Sequence, residues 1–155
     1  MLSARRQRGF TLVELLIVVI ILGILAAVVI PQFNTISADA KESSLVSNLN
    51  TVRQAISLYR VQHKEIYPGQ AGWDAFVTQL TTGTLDDGTA GAKYGPYLRT
   101  TFPVNPFTTT ATGLTVATMP TSPTGATGWI YCSTSGEIRA NNTGNAPSGA
   151  AFFGL

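Results

Sequence analysis

Residues 9–33 read GFTLVELLIVVIILGILAAVVIPQF, and the reading of this run decides the fold. From Phe10 to Ile30 its only charged side chain is Glu14. At a rise of ~1.5 Å per residue, a helix of roughly 21 residues is as long as the ~30 Å hydrocarbon core of a bilayer. Apolar side chains on every face require lipid or other helices all around it. Arg5, Arg6 and Arg8 stand just before the run. Such a basic cluster keeps its own end in the cytoplasm and places the rest of the chain on the far side.

Two ordinary readings of this run fall short. A cleaved secretory signal has a short apolar core ending at a small-residue site. Ala26 and Ala27 offer such a site, but the run continues to Ile30. A plain uncleaved anchor fits the length and leaves Glu14 unexplained. A carboxylate in a membrane segment costs ~2.5–3.5 kcal/mol at the helix centre, less near an end, and takes a partner. Glu14 is therefore a candidate functional residue.

Gly9-Phe10-Thr11-Leu12-Val13-Glu14 after a short basic leader closely resembles the class III signal of the type IV pilin-like proteins. In that family a membrane aspartyl prepilin peptidase cuts after the glycine and methylates the new N-terminus. The resemblance thus implies a cleavage site between Gly9 and Phe10, and N-methylation of Phe10. Pro31, at the end of the run, matches a proline common in these proteins. Cleavage ahead of the apolar segment leaves it on the mature chain as membrane anchor and filament core. It also creates a cationic amine at Phe10, close in sequence to Glu14, and in a staggered filament one subunit's carboxylate meets its neighbour's amine. The resemblance assigns Glu14 to assembly, and the cost of an unpaired charge in such a bundle is what would let it select register.

The helical pattern continues beyond Pro31. Leu45, Leu49, Val52, Ile56, Tyr59, His63 and Ile66 recur at alternating spacings of four and three, the stripe of an amphipathic helix. Lys41, Glu42, Asn50, Arg53, Gln54 and Arg60 lie opposite, and Tyr67-Pro68-Gly69 is the expected stop. Pro31 within the helix predicts a kink or a loosened turn, with Gly23 a second weak point. The resemblance implies that this stretch can lose helicity on assembly. His63 falls on the apolar stripe and reads as a packed or partly exposed helix residue, with no Cys or second His to join it as a ligand.

The bulk of the chain narrows the function classes. It has 155 residues, 45% hydrophobic and 12% charged, with a net charge of +2. That suits one modest domain beside the N-terminal segment and makes no electrostatic case for nucleic acid. Cys132 is the single cysteine, so no internal disulfide forms, and one His beside it makes no zinc-type ligand set. No phosphate-binding glycine loop, metal-ligand set or nucleophile elbow occurs, and no catalysis is expected.

After Gly69 the composition shifts to Thr, Gly, Pro and Asn. Trp73, Phe76, Val77 and Leu80 predict a short amphipathic helix, residues 81–96 a loop, and residues 114–119 a strand. GWIYC and EIRAN, joined by STSG, predict a hairpin whose first strand is half-buried. Pro103 and Pro106 disfavour a central strand between them. The tail from Asn141 reads as irregular, with Phe152 and Phe153 available to dock. Asp86-Asp87-Gly88 reads as a solvated turn, and the sequon at Asn141-Asn142-Thr143 as coincidence.

YPG at 67–69, GPYL at 95–98, PVNPF at 103–107 and GWIYCSTSGEIRAN at 128–141 resemble the major pseudopilins of type II secretion within that family. Two departures stand out. Asn105 occupies a position where Asp is common. The family's aspartate-rich calcium loop near the C-terminus has no counterpart among Asn141, Asn142 and Asn145, so the cofactor expectation is none and calcium is not carried over.

Taken together, the resemblance implies an α+β, type IV pilin-like fold: a long N-terminal α-helix, transmembrane in its first half, with a small antiparallel β-sheet head. The parts are a leader at 1–9, a transmembrane and filament-core helix at 10–31, its amphipathic continuation at 32–67, and the head at 68–155. The implied role is a non-enzymatic subunit of a periplasmic pseudopilus that drives protein export. Its implied partners are the prepilin peptidase, other copies in a helical homopolymer, the inner-membrane platform and assembly ATPase, minor pseudopilins and the membrane. Its implied location is the inner membrane, single-pass, with the head periplasmic or extracellular, and then the filament. A type IV pilus pilin serving adhesion, motility or DNA uptake is the alternative.

Overall fold

The computed structural model describes residues 9–99 and 101–155; within the first helix the side chains at 28, 30, 31 and 33–35 lie outside that description. Arg5, Arg6 and Arg8 lie outside it as well, as does the side chain of Pro31 on which the kink expectation rests. The first helix, α1, runs Leu12–Gln62. It crosses the border between two compact units, one up to Ser37 and one from Ala38 to Leu155, taken here in turn.

In the first unit, Leu, Val and Ile side chains from Leu12 to Leu25 are exposed all round the helix. Among the described residues no helix is long and apolar enough to cross a membrane. The continuous set of described side chains in this part of α1 ends at residue 27, and Val28 and Ile30, which complete the run in sequence, lie outside it.

The second unit is built on the stripe that the spacing predicts. Leu45, Leu49, Val52, Ile56 and Tyr59 of α1 are buried in one core with Phe76 and Leu80 of α2 (Trp73–Thr81) and with Trp129, Tyr131, Ile138 and Ala140 of the sheet. Each large side chain so buried stabilises the fold by ~1.5–3 kcal/mol relative to exposure. Tyr131 ties the sheet to the turn after α1, its hydroxyl donating to Pro68 O at 2.9 Å.

α1 stops about a turn short of Tyr67. Lys64 and Glu65 adopt left-handed backbone angles, φ 54° and 66°, and Glu65 N–H reaches back to Arg60 O at 2.9 Å. This Schellman-type closure ends the helix without the glycine that usually marks one.

The sheet has three strands: β1 (Gly113–Val116), β2 (Trp129–Cys132) and β3 (Ile138–Ala140), in the order β1-β2-β3. β2 and β3 form the antiparallel hairpin, with Tyr131 opposite Ile138. β1 instead pairs with β2 in parallel, Gly113 beside Trp129 and Val116 beside Cys132, so the sheet is mixed rather than wholly antiparallel. The segment 117–128 supplies the long crossover of roughly a dozen residues that a parallel pair requires. β1 is accordingly shorter than the 114–119 expected, its chain turning away after Val116.

β2 is buried on both faces, not one. Trp129 and Tyr131 face the core, and on the other face Cys132 Sγ donates to Ala117 O of the crossover at 3.3 Å. The tail docks as a 3-10 turn, Phe152–Gly154, with Phe152 4.5 Å from the Phe107 ring and Arg139 over Phe153.

His63 is buried at the end of α1, stacked on Tyr59 at 3.7 Å between ring centroids. Nδ1 lies 2.9 Å from Tyr59 O, and a carbonyl only accepts, so Nδ1 carries the proton. Nε2 then accepts from the buried Thr84 hydroxyl at 3.1 Å. Thr84→Val keeps the shape and leaves this nitrogen without a donor. The expected loss is ~1–3 kcal/mol of head stability, read from urea unfolding.

Candidate functional site

The chain enters α1 through a reciprocal cap. Thr11 N–H donates to Glu14 Oε2 at 2.8 Å, the Thr11 hydroxyl donates to the same oxygen at 2.7 Å, and Glu14 N–H donates to Thr11 Oγ1 at 3.2 Å. This is a capping box, in which a Thr and the Glu three residues on satisfy each other's free amides. The Thr-x-x-Glu spacing ahead of an apolar run is its sequence signature, so Thr11 was legible as a functional residue and is the one missed above. Glu14 engages only Oε2 in these contacts; they fix the orientation of the carboxylate.

Gly9 and Phe10 precede the cap in backbone without regular structure, and both are exposed. A Cβ placed on Gly9 meets no atom within 4 Å, and the same is true of Gly23 within α1. A glycine inside a helix costs ~1 kcal/mol relative to alanine, and no packing among the described residues requires it at Gly23. Thus Gly9, Phe10, Thr11 and Glu14 gather at the start of α1, while Gly23 stands farther along the same helix.

Two motifs of the head, PVNPF and GWIYCSTSGEIRAN, meet at a second place. Asn105 is fully buried. Its Oδ1 accepts from Phe107 N–H at 3.0 Å, and its Nδ2 donates to Gly128 O at 2.7 Å and to Asn142 Oδ1 at 2.6 Å. Asn141, also fully buried, accepts from Thr124 N–H at 2.8 Å and donates to the Thr124 and Thr127 hydroxyls at 2.8 and 2.9 Å. Gly128 O also takes Asn141 N–H, at 3.1 Å. Only glycine fits at 128, since a Cβ there would lie 2.7 Å from Thr110 O. The Asn141 carboxamide is committed to these bonds and buried, so the sequon is closed to a glycan in the folded head.

The calcium that the pseudopilin resemblance brings to mind does not fit this place. Calcium takes six to eight oxygens, carboxylates prominent among them. Here the two buried side chains turn N–H donors inward, and among the described residues no three His, Cys, Asp or Glu gather as a metal site. The acids at 86–87 serve a turn instead. Lys93 and the Tyr94 hydroxyl hold the Asp86 carboxyl below its usual range, and Asp87 accepts from Thr89 N–H at 3.0 Å.

Residues 4–30 match the prokaryotic N-terminal methylation motif. The chain is 34% identical over 80 residues to the type II secretion system core protein G of Aeromonas hydrophila, an alignment spanning 52% of this chain and 56% of that protein. It is 35% identical over 80 residues to the core protein G of Pseudomonas aeruginosa, spanning 52% and 56%. It is 40% identical over 79 residues to a type IV major fimbrial protein of Dichelobacter nodosus, spanning 51% and 47%. The chain thus spans about half the length of the curated relatives it matches. No solved structure matches it.

Proposed function

We propose that this chain is a pseudopilin of a type II secretion filament. It is cut by a prepilin peptidase between Gly9 and Phe10, N-methylated at Phe10, held in the inner membrane by residues 10–31, and stacked into a helical homopolymer. The match of residues 4–30 to the methylation motif carries the processing part of this reading, and the similarity to the type II secretion core protein G of two species carries the secretion part. Two features support it. The Gly9–Phe10 bond lies in exposed, non-helical backbone just before the cap, the form in which a peptidase takes a chain. Among the described residues no contact fills the space beside Gly9, which is consistent with its small size serving recognition by another protein.

The role is structural, and the chain contributes no catalysis. Residues 1–9 are the leader, the head lies on the periplasmic side, and the working partners are the inner-membrane platform, the assembly ATPase and minor pseudopilins. Fimbrial relatives at 40% identity keep a type IV pilin as the second reading. Disruption of the gene separates the two: a pseudopilin mutant retains its secreted proteins, whereas a pilin mutant loses surface fibres and secretes normally.

Processing has a direct test. Coexpressed with a prepilin peptidase, the wild-type chain gives an intact mass that starts at Phe10 and carries one methyl group. Gly9→Leu places a branched side chain at the scissile bond and leaves the Thr11–Glu14 cap untouched. Its expected mass is that of the full chain, with membrane insertion unchanged. Cleavage of Gly9→Leu at the wild-type rate would reject this site.

A further inference from the structure

We propose that a saturated carboxamide node, built on Asn105 and Asn141, cross-links the irregular loops of this head and makes its stability independent of divalent cations. Three chain segments with little regular structure meet there: 103–110, 124–128 and 141–142. Each Asn supplies two N–H donors and one carbonyl acceptor, and all of these are used. One oxygen, Gly128 O, receives both the Asn105 side chain and the Asn141 backbone, which joins all three segments.

The choice of Asn over Asp at 105 follows from the donors. Either residue accepts from the amide two positions on, the turn that Phe107 N–H completes here. Only Asn also donates, and its other two partners, Gly128 O and Asn142 Oδ1, are oxygens. An aspartate would set a buried negative charge against them, and such a charge requires a cation or another paired group. The carboxamide N–H groups already fill the place where a cation would bridge these oxygens.

The test uses the full chain in detergent, with thermal unfolding of the head followed by near-ultraviolet circular dichroism. The wild type is expected to melt at the same temperature in excess EDTA and in excess calcium chloride. Asn105→Ala removes three bonds and is expected to lower Tm by roughly 5 °C or more. Asn142→Ala removes one bond at the half-buried edge and is expected to lower it by a smaller but measurable amount, which preserves the test should Asn105→Ala fail to fold. A wild-type Tm that falls in EDTA or climbs saturably with calcium would overturn the proposal. So would variants that melt with the wild type.

Discussion

Glu14→Gln is expected to insert and be processed normally, yet to yield at least a hundredfold fewer filaments than the wild type. The capping box makes this substitution more informative than truncation. Glutamine retains a side-chain oxygen for Thr11 N–H and serves in the same box, so the helix start survives. What it removes is the charge. In the proposed filament that charge faces a neighbour's Phe10 amine in a low-dielectric core. Loss of one partner of a buried pair costs ~3–5 kcal/mol, or more than a hundredfold at each subunit contact. Glu14→Ala loses the same pairing and, in addition, ~0.5–2 kcal/mol of helix cap. Sedimented fibres, counted against membrane-bound subunit, measure the effect. Wild-type filament yield from Glu14→Gln would show that this residue acts as a cap and nothing more.

Phe76→Ala is expected to remove ~3–5 kcal/mol from the head, a large share of the ~5–15 kcal/mol that holds a domain together. The Phe76 ring is fully buried and stacks on Tyr131 at 4.0 Å, with Trp73 at 5.2 Å and Phe102 at 5.6 Å. It joins α2, the sheet and the loop before Asn105. Gly69 is pressed against the same residue, where a Cβ would lie 2.6 Å from Phe76 Cβ. Guanidinium unfolding of the head, followed by tryptophan fluorescence, gives the difference directly. Leu58→Ala on the exposed face of α1, 50% accessible, provides the control and should stay within ~0.5 kcal/mol.

How much of this was legible beforehand differs from element to element. The core stripe Leu45 to Tyr59 and the helix Trp73–Thr81 were readable because helical spacing repeats within a few residues. The β2–β3 hairpin was readable for the same reason, its turn being local in sequence. The end of α1 was not, because Lys64 and Glu65 take left-handed angles that their residue types do not announce. The direction of β1 was not either, since nothing in Gly113–Val116 itself says whether a neighbour runs parallel or antiparallel.

The N-terminal segment is therefore the part whose proposed role rests on sequence. In the proposed role its apolar run, Gly9 ahead of Phe10, and Glu14 act through near neighbours along the chain or through a partner that reads them in order, and the structure adds Thr11 to them through the cap. The loop node was decided only by tertiary structure. Asn105, Gly128 and Asn141 look like ordinary turn residues until the fold brings them within hydrogen-bond distance. Whether a buried carboxamide or a carboxylate is tolerated there depends on which atoms it meets, and those atoms come from segments far apart in the chain.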